Sequence, residues 1–363
     1  MHLLIRWTSR STLSAILLIA SFCSVAVSAT ITDLGSLGGA SYGHAVNNAG
    51  QVVGSYQTTA SGSNAFLYSG GSMAALGTFG GTFADGLGIN DAGQVVGYSY
   101  TTGNVASRAF LYSGGSMTDL GTLGGSSSTA WAINNAGQIV GSSYMPSAGS
   151  HAFLSSGGSM TDLGTLGGLY SSAAAISDSG LVAGNAQTAG GLTHAFLYSG
   201  GQMADLGTLG GSYSVAHGIN NAGQVVGWSY LHGTSLPTHA FLYSGGGMTD
   251  LGTLGGSSSM GDDINNAGQV VGYSQLPGNN VDAAFLYSGG TMIDLNSFLA
   301  PTSGWQLEEA YAINDLGQVV GYGTIAGETH AFLLDTTPEP SSAALLGAGA
   351  TLLALMRKRL QGL

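Results

Sequence analysis

Ala132-Ile-Asn-Asn-Ala-Gly-Gln-Ile-Val-Gly-Ser142 reads as a hairpin, in which a short apolar strand runs into Asn-Asn-Ala-Gly and leaves as Gln-Ile-Val-Gly. The turn glycine supplies the positive backbone dihedral that reverses a strand. Versions of the stretch occur seven times, with Asn47, Asn90, Asn134, Ser177, Asn220, Asn265 and Asn314 at the equivalent place, at intervals of 43, 44, 43, 43, 45 and 49 residues. A period near 44 residues marks a repeat architecture and overrides the two-domain expectation for a chain of 363 residues.

Composition agrees with a folded chain. Charged residues are only 7%, yet the hydrophobic fraction of 44% is too large for a disordered low-complexity segment. Of the 18 acidic residues all but Glu339 lie between residues 30 and 337, where Arg108 is the single Lys or Arg. So acidic a domain argues against DNA, RNA and anionic membrane surfaces as partners, since neutralising phosphates needs clustered cations. The only cysteine, Cys23, sits in the N-terminal apolar run, so a processed chain would hold no disulfide and no thiolate metal site.

Both ends read as addresses. Arg6 and Arg10 precede an apolar core from Leu13 to Val27 and then Ser28-Ala29, the pattern of a secretory signal peptide over residues 1–29 cleaved after Ala29 by signal peptidase. At the other end, Pro338-Glu339-Pro340 is followed by an apolar run over residues 343–356 and then Arg357-Lys358-Arg359. Those residues span about 21 Å as a helix, a short transmembrane segment against a hydrocarbon core of about 30 Å. With basic residues at both ends held inside, the repeats face out of the cytoplasm. The order Pro-Glu-Pro, apolar helix and basic cluster resembles the PEP-CTERM sorting signal of Gram-negative bacteria, with Thr337 where Val is common. The resemblance implies a partner exosortase, a transient inner-membrane anchor, and a place among exopolysaccharide or biofilm material.

Within each repeat four strands are expected. In the third copy these are Thr129 to Asn134, Gln138 to Ser143, His151 to Leu154 and Met160 to Leu163. The third strand is apolar on successive residues, as in Ala195-Phe-Leu-Tyr198, which suits a central strand covered on both faces. A mature chain would begin with a lone fourth strand at Thr32-Asp-Leu-Gly35 and end with a third strand at His330 to Leu334 that lacks a fourth. The fold expected is therefore all-β: a seven-bladed β-propeller of four-stranded antiparallel blades over residues 30–337, closed by pairing of the N-terminal strand with the C-terminal blade. The recurring His-Ala-Phe-Leu-Tyr, Asp-Leu-Gly-Thr-Leu-Gly-Gly and Asn-Asn-Ala-Gly-Gln-Val-Val-Gly segments also resemble the HAF family of extracellular repeats, which implies export and no established activity. Asn64, Arg108 and Ala283 replace the histidine in three copies.

Two places could carry chemistry. One is a variable column on the innermost strand, His44, Leu87, Trp131, Ala174, His217, Asp262 and Tyr311, which serves either inter-blade packing or a polar and aromatic channel lining. The other is the end of the blades bearing the variable second-to-third loops, where Tyr100, Tyr144, Trp228 and Tyr230 could stack on sugar rings or simply pack. Asp262-Asp263 and Glu308-Glu309 are the only acidic doublets, and both break the repeat consensus just before the inner strand ends. The repeating Asp33, Asp119, Asp162, Asp205, Asp250 and Asp294 are too dispersed to share an ion and suit hydrogen bonds to the adjacent turn. Once-per-repeat His151, His194, His239 and His330 suit structural hydrogen bonds better than a metal centre. The acidic doublets could make a local calcium or substrate contact or be solvated loop charge; no Asp-x-Asp-x-Asp-Gly loop supports calcium, so no cofactor is assigned, and no nucleophile elbow, HExxH pair or phosphate loop occurs.

Ligand contacts are thus expected at Trp131, His217, Trp228, Tyr230, Asp262, Asp263, Glu308 and Tyr311. The function expected is non-enzymatic binding or structuring of extracellular polysaccharide. The alternative is a propeller glycan lyase or hydrolase built on the irregular acidic residues of repeats six and seven.

Overall fold

The computed structural model describes residues 29–58, 61–147, 149–233 and 237–336. The signal peptide, with Ala29 at its edge, and the sorting signal from Pro338 to the terminal cations, including the apolar segment 343–356, lie outside the described residues. Among the described residues no helix is long and apolar enough to cross a membrane.

Among the described residues strands dominate, with two short 3-10 segments, Thr102–Asn104 and Leu295–Phe298. In the third repeat the strands run Ser128–Ile133, Ile139–Tyr144, Ser150–Ser156 and Ser159–Asp162, each antiparallel to the next. The other repeats follow the same order. Single parallel bridges, Ser63 to Phe83 and Ser150 to Tyr170, join two pairs of neighbouring units into eight-stranded sheets. In the last repeat Thr30–Gly35 supplies the outer strand, pairing antiparallel with Glu328–Asp335 beside Gln318–Ile325 and Trp305–Ile313.

The Asn-Asn-Ala-Gly turn forms because its first asparagine imitates the backbone. Asn134 Oδ1 accepts from the N–H groups of Ala136 at 3.1 Å and Gln138 at 2.9 Å, while Gly137 takes a φ of 76°. Every unit is buried on both faces. The two valines of Val52-Val53 point opposite ways, Val52 packing with Phe66 against Ala312 and Val320 of the last repeat, Val53 against Ala84, Ile89 and Phe110 of the second. The central-strand phenylalanines Phe66, Phe110, Phe153, Phe196, Phe241, Phe285 and Phe332 are fully buried between units. Each such ring contributes about 2–3 kcal/mol of burial, so the core is distributed along the repeats rather than concentrated in one place.

Serines staple neighbours together. Ser214 Oγ donates to Gly207 O at 2.6 Å and accepts from Ala195 N at 2.8 Å, and Ser41, Ser128, Ser171 and Ser259 do the same in their repeats. The repeating aspartates and histidines are structural, as their dispersion suggests. Asp162 Oδ1 accepts from Gly164 N at 2.8 Å, and the same carboxylate lies 2.8 Å from His151 Nδ1 on the adjoining strand. His194 with Asp205, His239 with Asp250, and His330 with Asp33 repeat that pair. In the first repeat both partners are gone, Asn64 turning to the Tyr56 hydroxyl while Ala75 stands at the carboxylate's place.

Candidate functional site

The variable column has a backbone cause. In every repeat the pairing of the first and second strands slips by one residue, between Gly43 and Ala45, Gly86 and Gly88, Ala130 and Ala132, Ala173 and Ala175, Ala216 and Gly218, Gly261 and Asp263, and Ala310 and Ala312. The skipped residue is His44, Leu87, Trp131, Ala174, His217, Asp262 or Tyr311. A β-bulge leaves one residue outside the ladder and re-aims its side chain. All seven line a single cavity of ≈ 520 Å³. Both uses open to this column are realised: its residues line the cavity, and some also meet between repeats, His217 at Asp262 and Tyr311 at His44.

The second strand makes room for the bulge. A methyl group on Gly54, Gly97, Gly141, Gly184, Gly227, Gly272 or Gly321 would collide with the carbonyl oxygen of the inner-strand residue just before its ladder partner, as Gly227, opposite Ala216, would with Val215. Glycine in Val-Val-Gly is therefore a requirement of the bulge.

Chemistry in the cavity is uneven. On one side His44 Nδ1 lies 3.1 Å from Asp85 Oδ1, an ion-pair contact that misses hydrogen-bond geometry. Burial opposes protonation of His44, but the Asp85 carboxylate outweighs it and the imidazole titrates above its ordinary value. His217 Nδ1 lies 2.9 Å from Asp262 Oδ1, and Asp262, its side chain 8% exposed, has no hydrogen-bond partner for the buried Oδ2 among the described residues. Burial pushes the Asp262 carboxyl up, against the pull of His217. Burial, together with the nearby Asp262 charge, pushes the Glu309 carboxyl up to about 7 against the opposing pull of the Tyr311 and Tyr322 hydroxyls. Tyr311 links this group to His44, their rings meeting edge-on at 5.4 Å. Trp131, 40% exposed, offers the cavity's largest aromatic surface, with Leu87 and Tyr98 beside it.

A second cavity of ≈ 200 Å³ is lined by the asparagine turns of all seven repeats. The backbone N–H of one turn donates to the side chain of the next: Asn48 to Asp91, Asp91 to Asn135, Asn135 to Asp178, Asp178 to Asn221, Asn221 to Asn266, Asn266 to Asp315, and Asp315 to Asn48, at 2.8–3.1 Å. Sequence reading took these residues as turn formers and missed the network. The signal was present, since the second residue of every turn is Asn or Asp.

The expected ligand residues separate into four places. Trp131, His217, Asp262 and Tyr311 meet in the larger cavity. Asp263 faces the asparagine side, accepting from Ile264 N at 2.8 Å and Ile313 N at 3.0 Å, and burial raises its carboxyl to about 7. Glu308 accepts from the Thr324 hydroxyl, so it is the doublet's other member, Glu309, that stands within the field of Asp262. Trp228 and Tyr230 form a separate cluster with Tyr213, the rings of Tyr213 and Trp228 stacked at 5.2 Å and those of Trp228 and Tyr230 tilted to one another at 5.7 Å. Among the described residues no group of three His, Cys, Asp or Glu side chains is placed to hold a metal ion.

No protein-family model matches the chain, and no curated protein matches it. Solved structures do. The β-propeller domain of the Trilobed protease from Pyrococcus furiosus, described as having an open velcro topology, aligns with a TM-score of 0.55 at 9% identity, covering 84% of this chain and 96% of that one. A puromycin-hydrolyzing peptidase from Mycobacterium tuberculosis aligns with a TM-score of 0.54 at 11% identity, over 87% of this chain and 52% of that one. The acylaminoacyl peptidase of Pyrococcus horikoshii gives 0.50 at 10%, over 81% and 51%. This chain thus spans about half the length of the two peptidases. At such identities the likeness is one of fold: an all-β chain of four-stranded antiparallel blades with β-propeller neighbours.

Proposed function

We propose that this chain is an exported, non-enzymatic seven-bladed propeller that binds a saccharide segment of extracellular polymer in the cavity lined by the bulge residues. The observation that carries the reading is the meeting of Trp131, Tyr311 and the His217–Asp262 pair in one cavity of ≈ 520 Å³. Sugars are held by an aromatic face against their C–H surface and by charged or amide acceptors on their hydroxyls, and this lining supplies both. A closed ring is supported by the pairing of Thr30–Gly35 with Glu328–Asp335 and by the Asp315–Asn48 hydrogen bond. Export rests on Arg6, Arg10, the apolar run and Ala29; sorting by an exosortase, to the outer surface or matrix, rests on Pro338-Glu339-Pro340 and Arg357-Lys358-Arg359.

A second reading has its own observation. Asp262 and Glu309 stand in one another's field, both above the ordinary carboxyl range, which is the environment of a general acid in glycan cleavage. Presenting the purified protein with a glycan array and checking the eluted ligands by mass tests both readings. Retained, intact glycans support the binding module. Shortened or unsaturated glycans establish the lyase or hydrolase, and absence of any retention removes the saccharide reading.

A further inference from the structure

The blade end that carries the variable loops differs from repeat to repeat. In the second repeat Tyr98 lines the larger cavity, its ring lies 6.1 Å from that of Tyr100, and Phe83 meets Tyr100 edge-on at 5.7 Å. An aromatic path therefore leads from the cavity wall to the surface. From Tyr100 the backbone continues as one row across neighbouring strands. Tyr100 pairs with Ser107, Ser107 N donates to Ser127 Oγ at 3.3 Å, and Tyr144 N donates to Ser127 O at 2.9 Å. Tyr144 then pairs with Ser150, and Ser150 with Tyr170.

The rings on this row are open and confined to one arc. Tyr144 and Tyr170 are 55% and 51% exposed, whereas Tyr213 and Tyr230, further round, close on Trp228. Repeats one, six and seven place Gln57, Gln275 and Thr324 where Tyr100 and Tyr144 stand. Exposed rings scattered singly need no ligand, but these share one backbone row that is continuous with the cavity through Tyr98.

Charge and reach name the occupant. Residues 99–107, 142–150 and 167–172 contain no Asp, Glu, Lys or Arg. An anionic polymer would find only Arg108, one residue past Ser107 and so on the other face of the strand. A basic polymer would find no carboxylate in the row. Tyrosine faces with serine hydroxyls beside them suit the C–H faces and hydroxyls of uncharged sugars. Strand-to-strand steps of about 4.8 Å place Tyr170 roughly 24 Å from Tyr100 along the row, a span that a single sugar residue does not cover.

We infer that a neutral, linear glycan with its end in the cavity leaves past Tyr98 and Tyr100 and lies along Tyr144 and Tyr170. This rests on the saccharide reading and adds to it a chemical class and a requirement for chain length.

The test is titration calorimetry on the purified full chain. The probes are glucan disaccharides and hexasaccharides of β-1,4, β-1,3 and α-1,4 linkage, with hexagalacturonate as the anionic counterpart. At least one neutral hexasaccharide is expected to bind tighter than its own disaccharide by about tenfold or more, and tighter than hexagalacturonate. Tyr144→Ala combined with Tyr170→Ala should bring that hexasaccharide close to its disaccharide, with disaccharide affinity and melting temperature retained because both rings are more than half exposed. Trp131→Ala should weaken both lengths alike. Leu316→Ala, which removes an exposed apolar side chain from an asparagine turn at the opposite strand ends, should change neither.

Equal binding of the two lengths overturns the track and leaves the cavity reading intact, as does a length preference that survives the double substitution. Hexagalacturonate bound tightest overturns the neutral class. Self-association in sedimentation velocity that the double substitution abolishes overturns the track and assigns the row to a contact between copies. Failure of every glycan to bind overturns the track together with the reading beneath it.

Discussion

Asn314 Nδ2 donates to the carbonyl oxygen of Asn47 at 2.9 Å, tying the last repeat to the first across 267 positions of sequence. The same side chain also donates to Gln318 Oε1 and accepts from the N–H groups of Leu316 and Gln318. Asn314→Ala strands several buried groups at once, so a loss of about 2–4 kcal/mol is expected in chemical denaturation. A loss below about 0.5 kcal/mol would mean that the turn holds without this bond.

The equivalent inter-repeat bond is made by Asn47, Asn90, Asn134, Asn220 and Asn265, while Ser177 bonds Ser179 instead. Repeat four also has Leu181 where the others have the glutamine that receives the amide. Ser177→Asn combined with Leu181→Gln supplies the missing donor to Asn220 O and its support. A gain of about 1 kcal/mol is expected, read as a higher midpoint with unchanged slope.

Gly227→Ala separates the bulge from ordinary strand preference. The added methyl meets the Val215 carbonyl oxygen, part of the backbone that carries the bulge at His217, so relief requires the inner strand to move. A loss of more than about 3 kcal/mol, or failure to fold, is expected. Gly247→Ala, where an added methyl meets nothing within 4 Å, should be near neutral. Equal effects of the two substitutions would remove the steric account.

The repeats and their strand order were legible because period, turn chemistry and apolar alternation are local in sequence. Strand limits in the third repeat fall within two residues of those expected, and the outer strand at Thr30–Gly35 pairs where the split ends required. The column from His44 to Tyr311 was legible as variable, but its direction was not, since alternation alone cannot reveal a one-residue slip. Its trace lay in the invariant glycine of Val-Val-Gly, whose cause is a carbonyl on another strand. Choosing Glu308 over Glu309 failed to anticipate the cavity's electrostatics for a related reason: the last repeat carries a second slip between Leu307 and Glu309, which changes the face that each glutamate occupies. Trp228 and Tyr230, open in sequence between stacking on sugars and packing, pack with Tyr213, a neighbour outside the local pattern of the second strand.

Stability should fall as pH rises, opposite to the usual acid denaturation. Burial holds Asp263 and Glu309 at about 7 and Asp262 above its ordinary value, whereas unfolded carboxyls ionise near 4. Between about pH 4 and about 7 the folded chain therefore binds more protons than the unfolded chain, and unfolding free energy declines with pH. His44 acts in the same direction, its contribution present below about 6.5 and lost as pH climbs through its raised folded value. Melting should occur several degrees higher at pH 5 than at pH 8. Glu309→Gln should flatten the slope, and a melting temperature that rises from pH 5 to pH 8 would contradict the assignment.

Trp131 and Trp228 distinguish the cavity from the outer aromatic cluster. Trp131 sits on a bulge, unpaired in the ladder and 40% exposed, so its loss leaves Ala130 opposite Gly141 and Ala132 opposite Val140. Trp131→Ala should retain the melting temperature within about 2 °C and lower saccharide affinity by about 10- to 100-fold, the loss typical of a central aromatic anchor. Trp228 stands in the ladder opposite Val215 and Ala240 and packs between Tyr213 and Tyr230, so Trp228→Ala should lower stability and change affinity little. Calorimetry and melting on the two variants give a crossed pattern if the ligand lies in the cavity. The reverse pattern would place recognition on the Tyr213 cluster, at the blade end with the variable loops.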